Sequence, residues 1–526
     1  MGADRAAVTA PATTKRWILV AAVLGSGIVF LDSTVVNVAL PRIGRDLPRS
    51  FLGVLEGQSY VYNAYLLTLS ALLILAGALN DYYGRRRMFI IGLVGFGATS
   101  VLCGLAPTME LLVLFRILQG AAGAMLVPGS LALITSNFSG EEQGRAFGVW
   151  AGASGLTTIL GPLLGGVLVD TISWRIAFLI NVPLGAVATW AAWRHVPESR
   201  DENASADFDW LGATVVALAV GGLAFGTIYG QQREWRDPIG FVALGVGVVA
   251  TIALPVLMIR SKHPLIPVHL FRSRNFTVTN ISTLLIYGAL YVTFYYLALF
   301  QQGTIGYTAA AAGAGGIPGS LFLILFSARF GSLAARYGPR WFMAIGPALM
   351  AAGVLWFTRV PSSSVPWRLR PGDLSSYVPS ASWFIDFLPG SLLFGAGLCM
   401  LVAPLTTALM TSVPVRNSGV SSAINNAISR VGPQLAGALI FVFLTANFYS
   451  YLGSRLTGVD VSSTGFRIKV SPLNTPADPS LVAVVRDAST ASFHLAMVIG
   501  AGLLLAGALV NAFGIRNAAA KQSPGE

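Results

Sequence analysis

The sequence predicts an all-α polytopic membrane protein made of two six-helix bundles and two inserted helices, fourteen transmembrane helices in all. Only 11% of its 526 residues are charged, and its mean hydropathy is +0.69. A soluble protein carries roughly 25% charged residues. The missing charge is what a lipid-facing surface requires, because charged side chains are costly in lipid. The composition therefore excludes a soluble enzyme.

A charged segment that contains glycine occurs twice and divides the chain into two related halves. The first copy, GALNDYYGRRR, begins at Gly77, and the second, GSLAARYGPR, begins at Gly331. A second pair occurs in the same order, GPLLGG at 161–166 and GPQLAG at 432–437. Two copies of one loop, half a chain apart, indicate two parallel repeats.

Fourteen apolar runs reach the length of roughly 20 residues that a membrane-spanning helix needs. They lie at about 17–40, 56–79, 88–106, 109–132, 145–168, 174–193, 209–230, 238–259, 275–300, 312–334, 341–359, 382–410, 416–447 and 490–513. The runs at 209–230 and 238–259 have no counterpart in the repeat, so we interpret them as inserted helices.

These runs and the polar segments between them define five predicted regions. They are an N-terminal tail at 1–16, a first bundle at 17–193, linkers with the inserted helices at 194–274, a second bundle at 275–513 with an external loop at 448–489, and a C-terminal tail at 514–526. Short loops rich in arginine stay in the cytoplasm, and the three arginines at 85–87 place the first repeat loop there. An even number of helices then puts both tails in the cytoplasm. We expect a multi-pass plasma-membrane protein, and the excess of arginine, alanine and glycine suggests a bacterial source.

Several other kinds of protein lack support in the sequence. The net charge of +12 comes from short turns between apolar runs, which fits topology signals and contacts with anionic lipids rather than nucleic-acid binding. The two cysteines, Cys103 and Cys399, lie far apart in apolar runs and suggest neither a disulfide framework nor a metal site. We find no nucleotide-binding loop and no catalytic constellation. We therefore expect no enzyme activity and no cofactor, with an ion gradient as the energy source.

Two charged residues lie inside predicted membrane helices. Asp32 follows the apolar start of the first helix, in LDSTVVNVALP, and Arg116 lies in LFRILQGAAGA of the fourth. At 1.5 Å per residue, both lie roughly 10–12 Å from the outer surface, so they can pair. A membrane carboxylate usually faces a water-filled cavity and takes part in transport or proton relay. The alternatives are a structural hydrogen-bond acceptor for Asp32 and a static ion pair for the two residues.

One further feature suggests a moving part. In the fifth helix, a motif that runs from Gly155 to Gly166 and includes Gly161, Pro162, Gly165 and Gly166 brings small residues together at helical spacing. Small residues allow another helix to approach closely, which suits an interface at which the halves rock, although ordinary tight packing uses the same residues.

Two polar stripes suggest a substrate cavity. Asn426, Arg430 and Gln434 share one helix face because they are spaced by four residues. Tyr287, Tyr291 and Tyr295 form a second stripe, whose rings could stack on a flat organic molecule. The alternative for the tyrosines is helix packing or an interfacial belt.

The repeat loop, RILQGAAGA, GPLLGG and LDSTVVNVALP together resemble the signature motifs of the major facilitator superfamily. LDSTVVNVALP, WRIAFLINVPLG at 174–185 and the count of fourteen helices resemble its drug:proton antiporter branch. The resemblance implies two bundles with alternating access to a central cavity. It implies that Asp32 couples to protons and that Arg116 acts as its relay partner.

The resemblance also implies roles for the loop and the fifth helix. Gly77, Asp81, Gly84, Arg85 and Arg86 would form a cytoplasmic gate. Gly161 and Pro162 match the antiporter helix. The second loop copy departs from the pattern, because Ala335 stands where the first copy has Asp81, and this weakens any gating role of the second loop.

We expect a monomeric, proton-coupled exporter of hydrophobic or amphipathic compounds, in contact with protons, substrates and membrane lipids. The first alternative is an exporter of an endogenous lipid or an acidic metabolite, with Arg430 as the counter-charge. The second is a membrane sensor that transports nothing, although the predicted loops leave no room for a sizeable soluble domain. The sequence does not identify the substrate, the proton stoichiometry or the role of the inserted helices.

Overall fold

The structure is a computed structural model that describes residues 12–48, 54–200, 208–232, 237–262, 264–370, 372–456, 459–476 and 478–517. Its regular elements are helices, and no strand occurs in these ranges. Most of the predicted tails at 1–16 and 514–526 lies outside the described residues.

Eight helices form the N-terminal half. They are α1 (Ala12–Asp46), α2 (Val54–Tyr83), α3 (Arg85–Gly104), α4 (Met109–Ala124), α5 (Leu126–Asn137), α6 (Gly140–Thr171), α7 (Ile176–Leu179) and α8 (Asn181–His195). A break at Met125 separates α4 from α5 within one apolar span, and a break at Ile180 separates α7 from α8. The eight helices therefore correspond to six predicted runs.

The inserted segment is a hairpin of α9 (Trp210–Gln232) and α10 (Pro238–Arg260). The two helices pack closely, because a Cβ on Gly226 or on Gly247 would overlap the backbone of the opposite helix. On its other side, α9 packs against α2 of the N-terminal half. Little of the α10 span is buried, at 17%, so α10 is the outer, lipid-facing member of the hairpin.

Nine helices form the C-terminal half. They are α11 (Arg274–Leu299), α12 (Ala309–Ala314), α13 (Ile317–Tyr337), α14 (Arg340–Trp356), α15 (Ala381–Asp386), α16 (Leu388–Thr411), α17 (Ser418–Arg455), α18 (Thr464–Lys469) and α19 (Val482–Gly514). A wide π turn, Phe300–Ile305, extends α11.

The two repeat loops adopt the same backbone conformation. Gly84 and Gly338 have positive φ angles of 107° and 89°, a region that favours glycine because it has no Cβ. Each loop is followed by a helix whose first N–H groups need a partner. Glu198 accepts from Arg86 N at 3.1 Å, and Asn517 Oδ1 accepts from Arg340 N at 3.1 Å. The repeat seen in the sequence is thus a structural repeat.

The predicted count of fourteen spans is not confirmed. Within the described residues, thirteen helical stretches are long and apolar enough to cross a membrane. The long helix α6, with 32 residues, is not among them. Many side chains of α6 between positions 158 and 171 lie outside the described residues, and the count of thirteen covers the described residues alone.

The predicted external loop at 448–489 is partly helical. Helix α17 continues to Arg455, and α19 already begins at Val482. Phe448, Leu452 and Val485 belong to one small buried cluster, so apolar packing stabilises both helix ends beyond the predicted boundaries. Only the residues between Arg455 and Val482 lie outside these two long helices.

The two halves meet near the end of the bundle that carries the first repeat loop, here called the Asp81 end. Helix α6 packs against α13, and α2 packs against α17. Val420 N donates to Asp81 Oδ2 at 3.0 Å, and Ser327 Oγ donates to the carbonyl of Gly148 at 2.6 Å. These bonds join residues of different halves and describe a conformer closed at the Asp81 end.

Candidate functional site

Asp32 and Arg116 form an ion pair in the middle of the N-terminal half. Arg116 Nη1 donates to Asp32 Oδ2 at 2.5 Å, and both side chains are fully buried. The pair joins α1 to α4, and the matched depths of the two residues in the sequence had allowed for such a pair. Buried charges of this kind are tolerated only when they are paired and hydrogen-bonded.

Two amide side chains complete the surroundings of the carboxylate. Gln119 Nε2 and Asn181 Nδ2 each donate to Asp32 Oδ1 at 3.0 Å. Ser100 Oγ accepts from Gln119 at 2.9 Å and links α3 to the network. The carboxylate therefore receives donors on both oxygens.

Arg116 is held in place from α2 as well. Its Nε donates to the carbonyl of Val61 at 3.0 Å, and its Nη1 also donates to Gln119 Oε1 at 2.7 Å. The guanidinium lies over the ring of Tyr65, 4.1 Å from its centroid, a cation–π contact. Tyr65 in turn donates to the carbonyl of Val29 at 3.0 Å. A planar guanidinium is required here, since it serves several acceptors and a ring at once.

The expectation that Asp32 faces a water-filled cavity is wrong for this conformer. Its exposed fraction is 0%. The reason is that α1, α3, α4 and α8 close around it and supply protein donors in place of water. Because the carboxylate is fully buried, a proton from water can reach it only when the helices around it move apart.

Sequence reasoning missed Gln119 and Asn181. Gln119 could have been found, because it lies three residues after Arg116 and thus on the same helix face. Asn181 lies within WRIAFLINVPLG, but nothing in that stretch indicates that it reaches α1. Its position depends on how α8 packs.

The predicted gate residues Asp81 and Arg85 are also a buried pair. Arg85 Nη2 donates to Asp81 Oδ1 at 2.9 Å and to the carbonyl of Val415 at 2.5 Å. Asp81 also accepts from Val420 N, in the first turn of α17. A carboxylate is favoured there, because the first turn of a helix has free N–H groups and a partial positive charge. Asp81 thus caps a helix of the other half.

The remaining gate residues lie around the loop itself. Gly77 approaches α17 so closely that a Cβ would overlap Gly419. Arg86 Nη2 donates to the carbonyl of Trp193 at 2.8 Å, and Glu198 binds the first N–H groups of α3. Glu198 was not anticipated from the sequence, because it is far from the loop in the chain.

The antiporter-helix residues do not lie where the sequence suggested. A Cβ on Gly161 would overlap Thr34, and one on Gly165 would press on Val35, so both glycines pack α6 against α1 within one half. The prediction that they lie at the interface between the halves is therefore wrong. Gly166 belongs to the same helix, and the side chain of Pro162 lies outside the described residues.

Other glycines of α6 form the interface with the second half. A Cβ on Gly144 would overlap Gly331, and a Cβ on Gly148 would overlap the backbone of Ala328 in α13. Helix α6 thus has two glycine faces, one toward α1 and one toward α13. Within the sequence motif, Gly161 and Gly165 belong to the first face, whereas Gly155 packs against Leu323 of α13 and belongs to the second.

The two predicted cavity stripes lie on α17 and α11, and these two helices pack against each other. Arg430 is partly buried in α17, whereas Asn426 Nδ2 donates back to the carbonyl of Ser422 at 2.9 Å. The side chain of Gln434 lies outside the described residues. Tyr287 and Tyr291 are neighbours, with ring centroids 6.5 Å apart, and Tyr291 is 54% exposed.

Tyr295 differs from the other two tyrosines of its stripe. It is 61% exposed and its ring contacts that of Tyr296. Tyr62 of α2, by contrast, lies within electrostatic range of Tyr291 and Arg430 and was not anticipated. The predicted substrate cavity therefore involves Tyr287 and Tyr291 of this stripe, together with Tyr62 of the N-terminal half.

Comparisons with known proteins agree with this architecture. A family model described as the Major Facilitator Superfamily matches residues 22–438. The Multidrug resistance protein Stp of Mycobacterium tuberculosis (strain CDC 1551 / Oshkosh) is 32% identical over 436 residues, 82% of this chain and 76% of that protein. The Tetracenomycin C resistance and export protein of Streptomyces glaucescens is 29% identical over 431 residues, 81% of this chain and 76% of that protein.

A solved structure supports the fold. The crystal structure of the human organic anion transporter MFSD10 (TETRAN) matches with a TM-score of 0.59 and 14% identity, over 94% of this chain and 99% of that one. At this identity the likeness concerns the fold alone.

Proposed function

Because this chain belongs to the major facilitator superfamily, we propose that it is a proton-coupled exporter of hydrophobic or amphipathic organic compounds that works by alternating access. Two relatives at about 30% identity are named for drug resistance and export, which supports organic compounds as the substrate class. The exporter would act as a monomer in the plasma membrane, with both termini in the cytoplasm.

The observation that carries the proposal is the buried Asp32 carboxylate. A charge in this position is costly, and it is retained here with donors from Arg116, Gln119 and Asn181. Since a proton can reach this buried carboxylate only when the helices around it move apart, proton uptake at Asp32 is coupled to movement of α4 or α8 against α1. Coupling of this kind is what a proton-driven conformational cycle needs.

The Asp81 end supplies the second part of the mechanism. Asp81 caps α17, and Arg85 binds the carbonyl of Val415, so two bonds hold the halves together there. In the proposed cycle, these bonds break to admit substrate from the cytoplasm and reform before the substrate is released outside. Proton binding at Asp32 favours one of the two states over the other.

The test is proton flux in inside-out vesicles that carry an imposed proton gradient. A panel of lipophilic cations, neutral compounds and amphipathic anions is added to wild type and to Asp32→Asn. We expect at least one compound to dissipate the gradient in the wild type, and we expect the variant to lose this flux, because an amide cannot bind and release the proton.

Asp46→Asn is the matched control, since Asp46 lies on the same helix in an exposed pair with Arg42. Its flux should equal that of the wild type. Flux that persists in Asp32→Asn would show that another group carries the proton. If no compound moves protons through the folded, inserted wild type, the proposal of drug export is wrong. The protein is then better explained as a membrane sensor or as an exporter of one dedicated endogenous substrate.

A further inference from the structure

Arg430 is a cation inside a membrane span. It lies within the stretch Val415–Arg455, well away from either end, and its side chain is partly buried. Among the described residues it forms no hydrogen bond and no ion pair. Such a charge is costly in a membrane, so its retention calls for a counter-charge from outside the chain.

Helix packing places Arg430 at the same level of the bundle as the tyrosines of α11. Gly432, two residues further along α17, packs against the carbonyl of Leu284, and Gly288 packs against Gly432 in return. Tyr287 precedes Gly288, and Tyr291 lies one turn further along α11. The backbone positions of Arg430 and of these two tyrosines are therefore at a similar depth in the bundle.

Residues of the N-terminal half face the same region. Tyr62 lies within electrostatic range of Arg430 and Tyr291, and Tyr65 lies within range of Arg430 and of the Asp32–Arg116 pair. The region thus lies between the two halves, next to the proposed proton site.

The available polar groups in this region are hydrogen-bond donors. In the described part of the chain, the hydroxyls of Tyr62, Tyr287 and Tyr291 make no hydrogen bond to protein. A phenol and a guanidinium both donate to an anion, and the guanidinium can do so through two parallel bonds. Their rings add flat apolar surface for an organic body.

The charge balance favours a negative ligand. In the described spans of the C-terminal half, the acidic residue is Asp487, close to the start of α19. Asp32 is already neutralised by Arg116. Arg430 is therefore an uncompensated positive charge between the halves, which repels cations and attracts anions.

We infer that Arg430, with the hydroxyls of Tyr62 and Tyr291, is a subsite for the anionic group of an amphipathic substrate. The inference deepens the proposed function and depends on it, because it names amphipathic anions as a substrate class. The anionic group is a carboxylate, sulfonate or phosphate, carried by an organic anion or by an anionic phospholipid.

The test is equilibrium binding to the purified full-length protein in phosphatidylcholine nanodiscs. The probes are radiolabelled taurocholate, an amphipathic anion, and radiolabelled tetraphenylphosphonium, a lipophilic cation. We expect Arg430→Gln to weaken taurocholate binding about tenfold or more, as expected when a charge-assisted hydrogen bond is lost. Binding of tetraphenylphosphonium should stay the same or tighten, and Arg430→Lys should restore part of the taurocholate affinity.

Arg455→Gln is the matched control, because Arg455 lies at the end of the same helix, and it should bind both probes as the wild type does. Tyr62→Phe provides a second test if Arg430→Gln does not fold, since it removes one hydroxyl, and it should weaken taurocholate binding severalfold. Taurocholate displaced by phosphatidylglycerol would identify a lipid phosphate as an occupant of the same subsite.

Two results would overturn the inference. One is wild-type protein that fails to bind taurocholate, and the other is taurocholate affinity unchanged in Arg430→Gln and Tyr62→Phe. Proton flux driven by a cationic or neutral compound would then still support the exporter, so the two proposals fail separately.

Discussion

At the scale of single residues, the structure explains why the partner of Asp32 is an arginine and not a lysine. Arg116 donates to Asp32, to Gln119 and to the carbonyl of Val61, while its face rests on Tyr65. Four contacts in fixed directions match a planar guanidinium and not the single point of an ammonium group. The proposed proton site is thus a network in which every member constrains the others.

Arg116→Lys should keep the charge and lose the geometry. A lysine can pair with Asp32, but it cannot also serve Val61 and Gln119 through a rigid fork, so these acceptors are left unpaired in a buried place. We expect substrate-driven proton flux to fall about tenfold or more, measured in the vesicle assay used for Asp32→Asn.

Arg42→Lys is the control for this change. Arg42 pairs with Asp46 at 3.1 Å on an exposed face of α1, and exposed pairs contribute roughly 0–1 kcal/mol. Its flux should not change. A wild-type rate in Arg116→Lys would mean that only the charge, and not the fork of donors, matters at this site.

At the scale of helices, α6 is the element on which the arrangement of the halves depends. Gly161 and Gly165 bring it against α1, whereas Gly144 and Gly148 bring it against α13. The contact with α13 is the one that must separate if the Asp81 end opens. Backbone-to-backbone packing of this kind leaves no room for a side chain.

Gly148→Ala should therefore favour the conformer that is open at the Asp81 end. The new methyl group would overlap the backbone of Ala328, and overpacking typically costs 1–3 kcal/mol. The measurement is the maleimide labelling rate of an Ala335→Cys variant, because Ala335 contacts Gly144 across the interface. We expect the labelling rate to rise about tenfold.

The native cysteines do not disturb this measurement, since Cys103 and Cys399 are both buried. Gly97→Ala serves as the control, because no atom lies within 4 Å of the position of its Cβ. It should leave the labelling rate unchanged. An unchanged rate in Gly148→Ala would place the moving interface elsewhere.

At the scale of the whole molecule, two related bundles meet at the Asp81 end, and α9 of the inserted hairpin packs on α2. The repeat loops have the same glycine conformation and the same type of cap, by Glu198 and Asn517. They differ at the position of Asp81, because Ala335 has no carboxylate with which to cap the opposite half as Asp81 does. The halves are thus similar in shape and unequal in their contacts.

If the halves move as bodies, distances between them change while distances within them do not. Spin labels at Arg145 and Arg336, both exposed near the α6–α13 contact, should give one short distance in the closed conformer. When a transported compound is added and the pH is changed, a second population should appear in which the two labels are farther apart. Pulsed electron paramagnetic resonance measures this distance.

Labels at Arg145 and Arg87 provide the comparison, since both are exposed residues of the N-terminal half. Their distance should stay the same under all conditions. A change in this pair equal to that in the first would argue against rigid halves and for bending within one bundle.

The sequence by itself determined the helical membrane class, the repeat and the two buried charges at Asp32 and Arg116. Hydropathy, loop motifs and a charge inside an apolar run are local properties of the chain, and depth follows from the rise per residue. For this reason the sequence indicated that Asp32 and Arg116 can pair, before the other residues that hydrogen-bond to them were known.

Only the tertiary structure decided what surrounds these residues. Asn181, Glu198 and Gly148 act through segments distant in sequence, and helical spacing says which residues share a face but not which helix that face meets. The burial of Asp32 and the α1-facing glycines of α6 differ from expectation for the same reason. Neighbours of a helix depend on how the whole bundle packs, and that is a property of the fold rather than of any one segment.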